Sequence, residues 1–221
     1  MNKNKKNIAL VTESGNGMAK SFASILSEND YTVVIAACKK SYQILSEENN
    51  SKTICDKLIE IDFTSDKELT KLAEYFEKLC GKLDLLVNNA EIVNGFGQKI
   101  EKISLAEVKE LYEINFFSVI NIIQKMKPLL EKSNHPKIIN ITSALGDINK
   151  MKSKKFCYAD YYLTAYATSK AALNMFTHLQ CKEFSPSKIK VYGFDPIVQE
   201  NCTRNSVLIC NQIKDDFIAL I

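Results

Sequence analysis

Asn7-Ile-Ala-Leu-Val-Thr12 runs directly into Glu13-Ser-Gly-Asn-Gly-Met-Ala19, and Tyr31-Thr-Val-Val-Ile-Ala-Ala37 follows after a helical interval from about Gly17 to Asn29. An apolar run, a turn rich in glycine, a helix and a second β-branched run read as strand, helix, strand. Neither run alternates apolar with polar residues, so each strand is buried on both faces, as in a parallel sheet covered by helices above and below. The alternation then continues. Lys57 to Asp62 is a third strand, and Ser65-Asp-Lys-Glu68 supplies a capping box for a helix ending near Cys80. Leu83 to Val87, Lys137 to Thr142 and Ile189 to Phe194 are the fourth, fifth and sixth strands. The expected architecture is α/β, in three layers, with one domain over residues 1–221.

Composition narrows the function. The chain has 221 residues, 46% hydrophobic and 25% charged, enough to bury a core without metal or disulfide staples. No uncharged stretch exceeds 11 residues, and a spanning helix needs about 20, so no membrane partner is expected. The basic start leads into a strand with no cleavage-site pattern, which argues against a signal peptide. Seven cysteines without a C-x-x-C fit a reduced, cytoplasmic protein lacking disulfides, and they offer no metal site. A net charge of +3, with Arg204 the one arginine among 29 basic residues, gives no reason to expect nucleic acid.

The helix between strands four and five opens with a second capping box, Ser104-Leu-Ala-Glu107. Leu105, Val108, Tyr112, Asn115, Val119, Ile122, Met126 and Leu129 follow three-four spacing and predict one buried stripe, with Pro128 bending or ending the helix. Asn115 is the polar member of the stripe. It is either a satisfied core amide or a functional group.

Tyr166-Ala-Thr-Ser-Lys170 is the sharpest local signal for chemistry. At i and i+4 on a helix, the phenol and the ammonium project from one face. A neighbouring cation favours phenolate and lowers a tyrosine pKa from about 10, making a general acid. Ser143 ends the fifth strand at the edge where open parallel sheets bind ligands.

Taken in order, Thr12-Glu-Ser-Gly-Asn-Gly-Met-Ala19, Asp62, Val87-Asn-Asn-Ala90, Asn115, Ser143 and Tyr166 to Lys170 resemble the short-chain dehydrogenase/reductase family over nearly the whole chain. The longer spacing from Ser143 to Tyr166, and Phe194-Asp-Pro196, are most similar to its carbonyl-reductase-type members. The resemblance implies a Rossmann fold: a doubly wound parallel sheet of six strands in the order 3-2-1-4-5-6, the family's seventh strand being unrecognisable. It implies reduction of a ketone or aldehyde by hydride transfer, with Tyr166 as general acid and Ser143 donating to the substrate oxygen. Lys170 would hold the nicotinamide ribose, and Asn115 would anchor a water that resupplies protons. Thr12, Ser14, Asn16, Gly17, Met18, Lys39, Asp62, Phe63, Asn89, Ala90 and Pro196 would line the cofactor site with Tyr166 and Lys170. A homodimer through the helices at Ser104–Leu130 and Thr164–Phe184 is the implied assembly.

The segment Ala37-Cys-Lys-Lys40 favours NADP(H) over NAD(H), because no carboxylate follows the second strand and two ammonium groups could meet a 2′-phosphate. Equally, Lys39 and Lys40 begin a solvated helix. Four family glycines are replaced, by Glu13, Ala19, Glu91 and Ile197. Glu13 puts a carboxylate beside an expected pyrophosphate, and its side chain is expected to swing into solvent. Two readings therefore stay open: an active reductase with a small carbonyl or alcohol substrate, and a catalytically impaired relative acting as a binding or regulatory module. The segment from Asp147 to Tyr162, lysine-rich and then aromatic, is either a flap over the substrate or a packed surface loop.

Overall fold

The computed structural model describes residues 7–15, 17–51, 55–196 and 214–221, excluding the side chains of residues 50 and 51. Six parallel strands form one sheet in the order β3-β2-β1-β4-β5-β6. They are β1 (Asn7–Glu13), β2 (Tyr31–Ala37), β3 (Lys57–Glu60), β4 (Leu85–Asn88), β5 (Lys137–Ile141) and β6 (Lys190–Phe194). The central strands β1, β2 and β4 are buried on both faces apart from their ends, whereas the edge strand β3 is not. That contrast accounts for the unbroken apolar runs in the sequence. The fold is the expected three-layer Rossmann arrangement. Among the described residues no strand follows β6.

Alternate residues of each strand serve opposite layers. Ile8 and Leu10 of β1, with Val34, Leu86 and Ile138, pack on one face against α3 (Asp66–Leu79), α5 (Ser118–Leu130) and α7 (Thr164–Glu183). Ala9 and Val11, with Val33, Ile35, Val87 and Ile139, pack on the other against α1 (Ala19–Glu28) and α2 (Lys39–Ser51). Phe217 joins that second layer. Its ring lies 4.6 Å from Phe22 and 5.5 Å from Phe194.

Both predicted N-caps are present: Ser65 accepts from the Glu68 amide and Ser104 from the Glu107 amide. The long helix departs from its expected stripe. Leu105 is exposed and Leu111 is buried in its stead, while Val119, Ile122, Met126 and Leu129 lie in the core as expected. The cause is a π turn, Glu113–Phe117, inserted between α4 (Leu105–Tyr112) and α5. Its wider turn rotates everything before it out of phase with a strict α-helical spacing. Pro128 sits in the last turn of α5, which ends at Leu130, and the short α6 (Ile148–Lys152) precedes α7. Cys157 corrects another expectation: it is disulfide-bonded, whereas Cys38, Cys55, Cys80 and Cys181 are free. Linear spacing could not show which cysteines fold close together. No described helix is long and apolar enough to cross a membrane.

Candidate active site

β1 runs one residue further than expected, to Glu13, and strand alternation puts that side chain on the same face as Ala9 and Val11. That face carries α1, so the carboxylate lies under the helix N-terminus. It does not swing into solvent; Glu13 is 1% exposed. Its Oε1 accepts from the amides of Gly15 (2.6 Å) and Gly17 (3.3 Å), and its Oε2 accepts from the Ala19 amide (3.1 Å) and from Asn89 Nδ2 (3.3 Å). The orphan amides at a helix start attract an anion, and Glu13 supplies one from within the chain.

The predicted cofactor residues gather in three places. Thr12, Ser14, Gly17, Met18, Asn89 and Ala90 surround Glu13, and much of their polar capacity is spent on the protein. The Thr12 hydroxyl accepts from the amides of Asn89 (2.9 Å) and Ala90 (2.8 Å), tying β1 to the end of β4. Ser14 Oγ donates to the Glu91 carbonyl at 2.9 Å. Lys39, Asp62 and Phe63 line a separate groove of about 930 Å³ along β3 and α3. Both ammonium-bearing residues, Lys39 and Lys40, open α2. Asp62 accepts from the amide (2.9 Å) and hydroxyl (2.7 Å) of Thr64, and the Phe63 ring is core. Pro196 belongs with the third group: it is buried next to Asp195, whose carboxylate accepts from the Ala144 amide at 2.5 Å. Asn16 lies outside the described residues.

The third group is chemical. Ser143 caps the short turn Ala144–Gly146 after β5, and Tyr166 and Lys170 project from α7 beside it. Gly146 makes that approach possible, because a Cβ there would lie 2.5 Å from the Ala171 backbone nitrogen. Lys170 is 2% exposed and donates to the Ile141 carbonyl at 2.9 Å, with its Nζ 5.7 Å from the centre of the Tyr166 ring. Glu91 stands between the two: its carboxylate forms an ion pair with Lys170 and accepts from the Tyr166 hydroxyl at 3.2 Å.

This arrangement reverses one expectation. The Tyr166 phenol is pushed well above the ordinary tyrosine range, first by burial and then by the negative charge of Glu91, while a hydrogen bond with Ser143 opposes the shift. Lys170 is close, as the Y-x-x-x-K spacing requires, but Glu91 stands against it and adds a negative charge to burial.

Asn115 is 1% exposed within the π turn. Its Oδ1 accepts from the Ile92 amide (2.9 Å), and its Nδ2 donates to the Ile92 carbonyl (3.0 Å) and to Ser169 Oγ (3.1 Å). The amide is therefore satisfied by protein, and it fixes the backbone next to Glu91. Phe156, Tyr158 and Tyr161 of the aromatic stretch return over the site, with Phe96, to line a cleft of about 250 Å³ that holds Ser143 and Tyr166.

The sequence pattern marks Glu13 and Glu91 only as lost glycines, yet both are site residues. The usable signal was a carboxylate at two positions that face anion-seeking donors. Gly146 and Asp195 carried no such signal.

A family model described as short chain dehydrogenase matches residues 7–206. The chain belongs to this family. Among relatives of the family, it is 28% identical over 193 residues to a 7alpha-hydroxysteroid dehydrogenase of Escherichia coli (strain K12), covering 85% of this chain and 69% of that protein. It is 30% identical over 198 residues to the rhamnolipids biosynthesis 3-oxoacyl-[acyl-carrier-protein] reductase of Pseudomonas aeruginosa, covering 86% and 71%. Among solved structures, the Pseudomonas aeruginosa RhlG/NADP active-site complex superposes with a TM-score of 0.71 at 29% identity, covering 86% of this chain and 71% of that one. A gluconate 5-dehydrogenase from Burkholderia cenocepacia J2315, in complex with NADP and tartrate, shares the fold with a TM-score of 0.69 at 23% identity, over 85% and 69%. The chain is thus a member of an oxidoreductase family.

Three converging amides are the chemistry a phosphate oxygen needs, so those of Gly15, Gly17 and Ala19 fit the pyrophosphate of a dinucleotide. In this structure Glu13 engages those same donors.

Proposed function

We propose that this chain reduces a ketone or aldehyde to an alcohol, with Tyr166 giving the proton and a nicotinamide dinucleotide as the partner cofactor, NADP(H) in preference to NAD(H). The observation that carries this reading is the meeting of Ser143, Tyr166 and Lys170 in one aromatic-lined cleft. A dinucleotide held by the amides of Gly15, Gly17 and Ala19 and by Lys170 would supply the hydride for the carbonyl carbon. The Tyr166 hydroxyl protonates the emerging alkoxide, and Ser143 donates to the same oxygen as charge builds on it. Asn115 steadies the Ile92 backbone that borders the cleft. The rings of Phe96, Phe156, Tyr158 and Tyr161 line the cleft and favour a small apolar substrate.

NADPH consumption with a panel of small aromatic and aliphatic ketones, followed by absorbance, tests the reading. Turnover is expected with aromatic members, faster with NADPH than with NADH. Ser143→Ala is expected to lower kcat by about 10- to 1000-fold through loss of one donor to the oxyanion. Turnover unaffected by that substitution removes Ser143 from the reaction, and faster turnover with NADH removes Lys39 from cofactor choice.

The second reading, a catalytically impaired relative that binds or regulates, is favoured by the two carboxylates that engage the cradle amides and Lys170. In either reading we propose a homodimer. Leu105 and Phe117 on the α4–α5 helix, and Met175 and Leu179 on α7, are exposed apolar side chains on the two helices named for pairing. Light scattering is expected to return twice the chain mass; a monomer at micromolar concentration would refute the dimer.

A further inference from the structure

Glu13 and Glu91 stand at two of the family's lost glycine positions, and each grips groups that the cofactor reading also needs. Glu13 accepts from three backbone amides at the start of α1. Glu91 forms an ion pair with the buried Lys170 and accepts from Tyr166. A pyrophosphate oxygen would seek the first set of donors, and ribose hydroxyls would seek Lys170. Carboxylate oxygens offer these donors the same kind of lone pairs.

We propose that Glu13 and Glu91 are internal stand-ins for the cofactor's pyrophosphate and ribose oxygens. The free protein then rests in a self-occupied state, and a dinucleotide enters only by displacing both carboxylates. This rests on the proposed cofactor reading and adds a gate to it. The two carboxylates are mechanically linked. Ser14, beside Glu13, donates to the Glu91 carbonyl, and Asn89, two residues before Glu91, donates to Glu13 Oε2. Moving one side chain out therefore disturbs the seat of the other. If Glu13 stayed in place, a bound pyrophosphate would also meet its negative charge across a buried, weakly screened gap.

The test uses the full chain as wild type, Glu13→Gly, Glu13→Gln, Glu91→Gly and the double glycine variant. NADPH is titrated by fluorescence, and thermal unfolding is recorded without ligand. Each glycine variant is expected to bind NADPH on the order of tenfold more tightly than wild type, and the double variant more tightly still. Ligand-free Glu13→Gly is expected to unfold at a lower temperature, since three amides lose their acceptor. Lower stability with tighter binding is the signature of an internal ligand.

A simple loop brace would lose stability and affinity together, which overturns the proposal. So does wild type that binds as tightly as the double variant, or a double variant that gains nothing. If Glu13→Gly fails to fold by circular dichroism, Glu13→Gln decides: it keeps the side-chain volume, removes the charge and is expected to bind more tightly than wild type. The two readings fail separately. A double variant that binds NADPH tightly but reduces no carbonyl ends the reductase reading and leaves self-occupation standing. Wild type that binds tightly and turns over ends self-occupation and leaves the reductase reading standing.

Discussion

Tyr166→Phe is expected to lower carbonyl reduction by about 100- to 10,000-fold, the usual worth of a positioned general acid. Phenylalanine keeps the ring, which packs with Leu111, Leu163 and Ala165, so the fold survives. Only the hydroxyl is lost, and with it the proton for the alkoxide. Turnover resembling wild type would take Tyr166 out of the mechanism. The same variant reports on the free protein. Burial, and then Glu91, push the phenol above the ordinary tyrosine range. The wild type should therefore show no tyrosinate step from Tyr166 near pH 10, and its ultraviolet titration should match that of Tyr166→Phe there. The sign for stability follows. A pKa raised on folding contributes stability that is intact below the unfolded value near 10 and lost as pH climbs through the folded value. Tyr166→Phe should lack that alkaline loss, and Glu91→Gln should move the tyrosine step down.

Phe22→Ala is expected to destabilise the protein by about 3–5 kcal/mol, measured as a fall in the urea midpoint at constant m. Phe22 is 1% exposed on α1, and its ring meets Phe194 at 6.2 Å and Phe217 at 4.6 Å. Truncation opens a cavity at a three-ring contact joining α1, β6 and residues 214–221. Aromatic pairing adds about 0.5–1.5 kcal/mol per pair beyond burial. A loss below about 1 kcal/mol would mean that Phe217 does not dock on the sheet layer.

The strands and their burial on both faces were legible because they depend on local pattern, whereas their order in the sheet followed only from the family resemblance. Val33 to Ala37 and Leu85 to Val87 are apolar without alternation, and only a strand covered on both faces requires that. The ordered appearance of Ser143, Tyr166 and Lys170 was equally legible, since helical spacing and a strand end place them without reference to distant residues. The buried stripe of the long helix was half legible. A π turn leaves no clear mark in residue type, yet it rotates Leu105 outward and Leu111 inward.

The partners of charged groups could not be read from the chain. Glu13 looked like a solvated intruder, and Glu91 like a lost glycine. Glu13 finds the amides at residues 15, 17 and 19 close by along the chain, but only because β1 and the start of α1 turn them inward, and Glu91 finds an ammonium at residue 170, a separation that no local pattern spans. The same holds for Tyr166. Spacing alone predicts a lowered pKa from Lys170, and folding brings burial and Glu91 to outweigh it. Backbone periodicity is a property of neighbours along the chain and is written in the order of residues. The field at a buried group is a sum over whatever the fold brings within a few ångströms, and that sum exists only once the chain has closed around it.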